Sequence, residues 1–214
     1  QKTAYEIMPS LVGSEMCIRD RYKMDASLQK MHARCPWFVT WDDHEVDNNC
    51  ADEISEQKNV KPVDFLIRRA AAYQAYYENM PLRRTSLPAG PDLQLYRRGA
   101  FGQLAEFTVL DGRQYRSDQP NNDVRSPLNE AALNPETTML GAKQRNWLKQ
   151  TLIESRGTWN ILAQQVMMGM VGMPSGDVPM AYSMDQWPGY THERMDLIRF
   201  MADRKINNPV VLTG

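Results

Sequence analysis

The densest chemistry in this chain lies in Asp42-Asp43-His44-Glu45-Val46-Asp47-Asn48-Asn49. Seven acidic residues fall between Asp42 and Glu56, and no Lys or Arg appears before Lys58. Carboxylates this close repel one another unless water or a cation neutralises them. A solvated run has no use for the apolar lead-in Trp37-Phe38-Val39, nor for a histidine and two amides within it. Hard cations take carboxylate and amide oxygens, and imidazole joins them at borderline metals. The pattern reads as a metal-assisted catalytic site on the end of a strand.

Adjacent residues at an extended strand end point in opposite directions. One of Asp42 and Asp43 therefore ligates or bridges a metal, and the other caps the following turn or orients a supporting group. His44 is either a metal ligand or a proton donor to a phosphate oxygen and its leaving group. Glu45 and Asp47 either back the ligands or face solvent. Asn48 and Asn49 ligate through their carbonyl oxygens or simply make a turn. In a second motif, Asp111-Gly112-Arg113-Gln114-Tyr115-Arg116-Ser117-Asp118, two arginines stand three residues apart. Arg113 and Arg116 either converge on an anion such as phosphate or pair with Asp111, Asp118 or the acidic loop. Asp111 is a strand-end residue, structural or in support of a metal ligand. Gln164 and Gln165 face opposite layers, and the inward amide must find hydrogen bonds. There is no Gly-x-Ser-x-Gly elbow and no Gly-rich phosphate loop, and Cys35 and Cys50 have no paired base in sequence. A metal-activated water is then the natural nucleophile.

The 214 residues suit one large domain or two small ones. A net charge of −1 argues against a dedicated nucleic-acid or polyphosphate surface. Three cysteines make neither a disulfide framework nor a zinc spacing. No apolar run approaches the roughly 18 residues of a membrane span. Residues 1–21 have no period and resemble adapter sequence read as protein, so they read as a non-native leader. Residues 22–214 read as a partial domain, an internal fragment incomplete at both ends.

The elements that must position the motifs follow from period and punctuation. Helices are expected over 24–33, 63–79, 141–155 and 194–205. Strands are expected over 37–41, 93–97, 104–110, 159–166 and 209–214, with a turn at 99–102. On the second helix Leu66, Ala70, Tyr73 and Tyr77 share a face, the tyrosines lining a pocket or packing half-buried. The third buries Trp147, Leu148, Thr151 and Leu152, and the fourth turns Met195, Ile198 and Met201 or Ala202 inward. Residues 121–138 read as a surface loop. Residues 167–188, rich in Gly, Met and Pro, are of the length that forms lids or binding loops. Polar motifs at strand exits fit an α/β enzyme.

Together these segments resemble the PhoD-type alkaline phosphatases, a branch of the calcineurin-like metallophosphoesterases. The carrying residues are Trp37 to Asn49, Leu110-Asp111-Gly112-Arg113-Gln114-Tyr115-Arg116-Ser117-Asp118-Gln119-Pro120, Met139 to Gln144, Trp159 to Val166, and Asn208 to Gly214. The resemblance runs from about Tyr22 to the end of the chain. It implies an α/β fold, a double β-sheet sandwich flanked by helices, with a multinuclear site for metal ions, calcium and iron, at its strand ends. It implies hydrolysis of small-molecule phosphate monoesters and diesters by a secreted, periplasmic or cell-surface enzyme. Related loops read Gly-Asn-His followed by an acid. On that analogy Asp43 stands for the metal-ligating Asn and His44 for the catalytic, phosphate-contacting His. Asn48 or Asn49 adds a ligand, Arg113 and Arg116 bind substrate, and Asp42, Glu45 and Asp111 support the ligands from behind.

The family's upstream Gly-Asp segment has no counterpart here, and its downstream Asp-x-His would begin just after Gly214. The chain expressed alone is therefore expected to bind metal weakly and to hydrolyse little. Two other readings fit the same residues. One is a non-catalytic calcium-stabilised binding module, and the other a phospholipase D-like phosphodiesterase of the same family.

Overall fold

The computed structural model describes residues 24–214. The expected leader lies outside the described residues. The chain divides into two units, Gln1–Phe38 and Val39–Gly214.

In the first unit, helix α1 (Ala26–Arg34) starts on Asp25, whose carboxylate accepts the Leu28 N–H at 2.7 Å. His32 and Arg34 fall in its last turn, where cations suit the helix dipole. No residue of this helix is buried, so the expected inward face of Leu28 and Met31 is not formed. His32 instead meets Trp37 edge-on at 4.3 Å.

The second unit carries α2 (Pro62–Asn79), β1 (Arg97–Phe101), β2 (Ala105–Val109), α3 (Gly141–Glu154) and β3 (Trp159–Gln164). These are followed by β4 (Met173–Ser175), β5 (Val178–Ala181), α4 (Thr191–Asp203) and β6 (Pro209–Thr213). Four strands form one mixed sheet in the order β1-β2-β3-β6, and β4 and β5 form a separate hairpin. β1 and β2 are antiparallel, whereas β2, β3 and β6 run parallel with α3 and α4 as crossovers. Gly102, at φ 56°, makes the tight turn between β1 and β2. At Gly157 a Cβ would lie 3.0 Å from the Glu106 main-chain nitrogen, so any side chain there would crowd β2 as the chain enters β3.

The main core lies on one face of the sheet. Leu162 and Leu110 pack there with Leu148 and Leu152 of α3 and Leu197 and Met201 of α4. The register places Phe101, Phe107, Trp159, Ile161, Val210 and Leu212 on the opposite face. Phe101, Trp159 and Leu212 are 67%, 44% and 49% exposed.

Several expected elements differ, each for a physical reason. Residues 37–41 form no strand. Their neighbours are side chains: Arg97 donates to the Val39 carbonyl at 2.6 Å, and the Thr40 hydroxyl to the Leu110 carbonyl at 3.0 Å. Residues 93–97 form a strand only from Arg97, because the Gln114 amide takes both the N–H and the C=O of Leu93, at 3.0 and 2.9 Å. The buried stripe of α2 is Phe65, Arg69, Tyr73 and Tyr76, one step round from the expected face. Phe65 takes the place of Leu66, Arg69 of Ala70 and Tyr76 of Tyr77, so the buried face gains an aromatic ring. Arg69 follows by satisfying the Pro91 and Asp52 carbonyls at 2.8 and 2.7 Å. In α3 Gln144 joins the buried face and Trp147 is half-buried. α4 begins three residues before the expected start and turns Thr191, Glu193, Leu197 and Met201 inward, leaving Met195 exposed. Glu193 is drawn in by the Thr138 hydroxyl and the Met139 N–H, both at 2.6 Å.

Burial raises the phenols of Tyr73, Tyr76 and Tyr115, and pushes Tyr190 up to about 12. An unfolded phenol ionises near pH ~10. The contribution of these tyrosines is therefore complete below that pH and is lost as pH rises through the raised folded values. An alkaline titration is expected to show phenolate absorbance and loss of circular dichroism rising together above about pH 10. All nine phenols ionising with the dichroism unchanged would contradict it.

Candidate functional site

Asp111 follows β2 and organises the strand exits. Its fully buried carboxylate accepts the Trp41 indole N–H at 3.1 Å, the Arg113 and Gln114 N–H groups at 3.0 Å each, and the Gln114 side chain at 3.1 Å. Burial pushes this carboxyl up, against the pull of those donors. Its own N–H and C=O are clamped by the Gln144 amide at 2.8 and 2.7 Å. Next to it the Gly112 N–H donates to Gln165 Oε1 at 2.9 Å, where a Cβ on Gly112 would collide. The Gln165 amide N–H group reaches the Thr40 hydroxyl and the Leu110 carbonyl, both at 2.8 Å. Gln164 also turns inward, accepting the Trp187 indole at 3.0 Å. Both amides flagged by the sequence are thus buried and hydrogen-bonded through oxygen and nitrogen alike.

This frame delivers the acid loop. Trp41, stacked on Tyr73 at 4.1 Å and bonded to Asp111, immediately precedes Asp42. The loop then winds round Asp43. The Val46 and Asp47 N–H groups donate to the Asp43 carbonyl at 2.9 and 2.8 Å, and the Asn49 N–H to its carboxylate at 2.8 Å. Asp43 is buried, while the His44 ring is 80% exposed with Nε2 3.9 Å from Asp43 Oδ2. Asp42 takes Arg113 Nε at 2.7 Å, with Asp43 Oδ2 4.0 Å from Nη2 of the same guanidinium, and the Asp42 N–H donates to the Glu45 carboxylate at 3.0 Å. Asn48 donates to Glu56 at 2.8 Å. Asn49, left-handed at φ 47°, donates to Asp123 at 2.5 Å. Asp47 binds the Ser55 hydroxyl and stands 3.3 Å from Arg68.

Arg113 and Arg116 do converge on an anion, and it belongs to the chain. Asp185 takes Arg113 in a bidentate pair at 2.6 and 2.9 Å, Arg116 Nη1 at 3.1 Å and the Gln119 amide at 2.8 Å. Arg116 also donates to the Asp185 carbonyl at 2.7 Å and to the Tyr190 hydroxyl at 3.0 Å. Burial opposes ionisation of Asp185, but the Arg116 and Arg113 guanidiniums outweigh it and hold the carboxyl below its usual range. Asp185 lies outside the sequence motifs, and Gln119 and Gln144 lie within them with no role assigned. The one signal for Asp185 is an acid beside Trp187 in a stretch otherwise poor in charge.

The structure brings together Asp42, Asp43, Arg113 and Asp111, with His44 at the rim. It turns the Asn48 and Asn49 amides toward Glu56 and Asp123. Among the described residues, no group of three or more His, Cys, Asp or Glu side chains is gathered closely enough to hold a metal ion. Asp43 and His44 alone fall short of such a set. A cavity of about 590 Å³ opens beside Asn49, lined by Glu53, Glu56, Lys58, Asp118, Gln119 and Asp123 among others.

The site is thus a carboxylate-rich loop and two guanidiniums, paired with Asp185, at the strand exits of an α/β frame. The profile of the PhoD-like phosphatases matches residues 19–214, and the chain belongs to that family. It is 51% identical over 194 residues to alkaline phosphatase D of Bacillus subtilis (strain 168), a match covering 91% of this chain and 33% of that protein. A solved structure described as the structure of PhoD superposes with a TM-score of 0.83 at 50% identity, covering 91% of this chain and 37% of that one. The chain thus spans about a third of the length of the curated relative it matches.

Proposed function

We propose that this chain is the part of a metal-dependent phosphoric ester hydrolase that carries the leaving-group acid and one metal ligand. The observation that carries this reading is the pairing of a buried, loop-wrapped Asp43 with an exposed His44 on a loop fixed to the sheet by Trp41 and Asp111. Asp43 is assigned as a metal ligand. His44 is assigned as the donor that protonates the departing alcohol, because its ring is free to reach a substrate from the rim. Asn48 and Asn49 join the ligands only by turning from Glu56 and Asp123. Arg113 and Arg116 reach a phosphate only if Asp185 yields, so their first assignment is to hold the site together.

Charge supports a cation requirement. Asp42, Asp43, Asp111 and Asp185 outnumber Arg113 and Arg116, and a phosphate dianion approaching such an excess is repelled unless a cation intervenes. Calcium and iron are the metals of this reading, phosphate monoesters and diesters its substrates, and an extracytoplasmic setting its location, all on family grounds. The exposed apolar face of the sheet supports the four strands as one layer of a sandwich whose other layer comes from elsewhere in the protein.

The test is hydrolysis of p-nitrophenyl phosphate and bis-p-nitrophenyl phosphate by the protein in its full reading frame and by the 214-residue chain. The full protein is expected to turn over both esters and to lose activity on chelation. The chain alone is expected to bind metal weakly and turn over little. Vigorous, chelator-sensitive turnover by the 214-residue chain would overturn the division of the site, and no turnover by the full protein would overturn the reading itself.

A further inference from the structure

We infer that Asp185 is a positioning residue that anchors both ends of the Asp42–Asn49 loop. Two routes leave its carboxylate. One runs through Arg113, bidentate on Asp185 at 2.6 and 2.9 Å, whose Nε holds Asp42 at 2.7 Å at the start of the loop. The other runs through Gln119, whose amide donates to Asp185 Oδ1 at 2.8 Å and to the Asn49 carbonyl at 2.6 Å at the loop's end. Asp43 and His44 lie between the two attachment points.

The geometry of the first route is stiff. A guanidinium presents its donors in a fixed planar fork, so seating two nitrogens on Asp185 fixes where the third points. Arg113 is buried, and its other carboxylate partners are the half-exposed Asp42 and Asp43 Oδ2 at 4.0 Å. Without the Asp185 charge it has every electrostatic reason to swing toward Asp43, carrying Asp42 with it. The second route closes through a main-chain carbonyl, so it constrains the backbone of Asn49 and with it the N–H that binds Asp43.

Asp185 is itself held from the far side. Trp187 is pinned by Gln164, and Arg116 donates both to the Asp185 carbonyl and to Tyr190. At Gly189 a Cβ would fall 2.1 Å from the Met184 carbonyl oxygen, so the turn closes too tightly for any side chain. The segment between β5 and α4 is therefore a fixed mount, and the acid loop is the part it positions.

The test is hydrogen exchange of individual main-chain amides in the chain bearing Asp185→Asn, which keeps shape and removes charge. The Val46, Asp47 and Asn49 amides, all bonded to Asp43, are expected to exchange about 10-fold faster or more as the loop loosens. Amides of β2 and β3 are expected to keep their protection. Faster exchange confined to residues 183–190 would reduce Asp185 to a local brace and overturn the inference. Should Asp185→Asn fail to fold, Gln119→Met cuts only the second route, and unchanged exchange at Asn49 would then be the overturning result.

For activity the inference rests on the hydrolase reading. In the full-frame protein Asp185→Asn is expected to lower kcat about 10- to 100-fold with KM nearly unchanged, as misplaced supporting groups do. Asp185→Glu is expected to recover part of the loss. If the unmodified protein hydrolyses no phosphate ester, the hydrolase reading fails, and the exchange measurement still decides Asp185 by itself.

Discussion

Asp111→Ala is expected to lose about 3–5 kcal/mol of stability. The carboxylate collects four donors, and every one of them is buried. Alanine leaves the Trp41 indole and the Arg113 and Gln114 main-chain N–H groups without an acceptor, while the Gln114 side chain keeps the Leu93 carbonyl. An orphaned buried donor costs about 1–3 kcal/mol, with sums falling short of additivity. The indole of Trp41 is among them, so the acid loop is released along with the turn after β2. Asp111→Asn is the informative companion. Its carbonyl oxygen still serves Trp41, Arg113 and the Gln114 N–H, but its new N–H group faces the Gln114 amide, so a smaller loss is expected. Urea unfolding followed by tryptophan fluorescence measures both. A loss under about 1 kcal/mol for the alanine variant would show that the donors find other acceptors.

His44→Ala is expected to do the opposite. The ring is 80% exposed and its nearest charged partner is 3.9 Å away, so removing it leaves the melting temperature essentially unchanged. In the full-frame protein it is expected to lower kcat by about 10² to 10⁴, the range of a positioned proton donor. The loss should depend on the leaving group. An alkyl phosphate, whose departing oxygen must be protonated, is expected to suffer much more than p-nitrophenyl phosphate, whose phenolate leaves without help. Equal losses for both esters would assign His44 to holding phosphate, and no loss for either would remove it from the reaction.

Much of the frame is legible in local sequence because local signals set it. Pro62 starts α2 and Gly141 starts α3 within a residue of the positions that their types dictate. The run from Trp159 forms its strand as its β-branched and apolar residues imply. What local sequence hides is competition for hydrogen bonds. Val39 to Trp41 and Leu93 to Leu95 have strand composition, yet the Arg97 side chain takes the Val39 carbonyl and the Gln114 amide takes both main-chain groups of Leu93. On α2 the buried face includes Arg69, which satisfies the Pro91 and Asp52 carbonyls, and no periodicity of apolar residues marks such a position.

The site divides the same way. Asp42, Asp43 and His44 are visible because they are contiguous, and Arg113 and Arg116 because they share a turn. Their arrangement is not, because the residues that set it arrive from far along the chain. Asp185 comes from a stretch with no period, and Gln144 from the first turn of a helix, between Lys143 and Arg145.

The bonds that build this site span long stretches of chain, and that has a kinetic consequence. Trp41 to Asp111 closes 70 residues, Arg113 to Asp185 closes 72, and Gln165 to Thr40 closes 125. Each closure loses chain entropy before any contact repays it, and pairings of this kind form late in folding. Helices such as α2 and α3 can form early from their own neighbours. The acid loop has no short-range partner able to hold it against the sheet, so it gains its shape only when the parallel strands have already joined. Ligand binding at this loop would then report the completed fold, and a refolding experiment should recover helical signal well before it recovers binding.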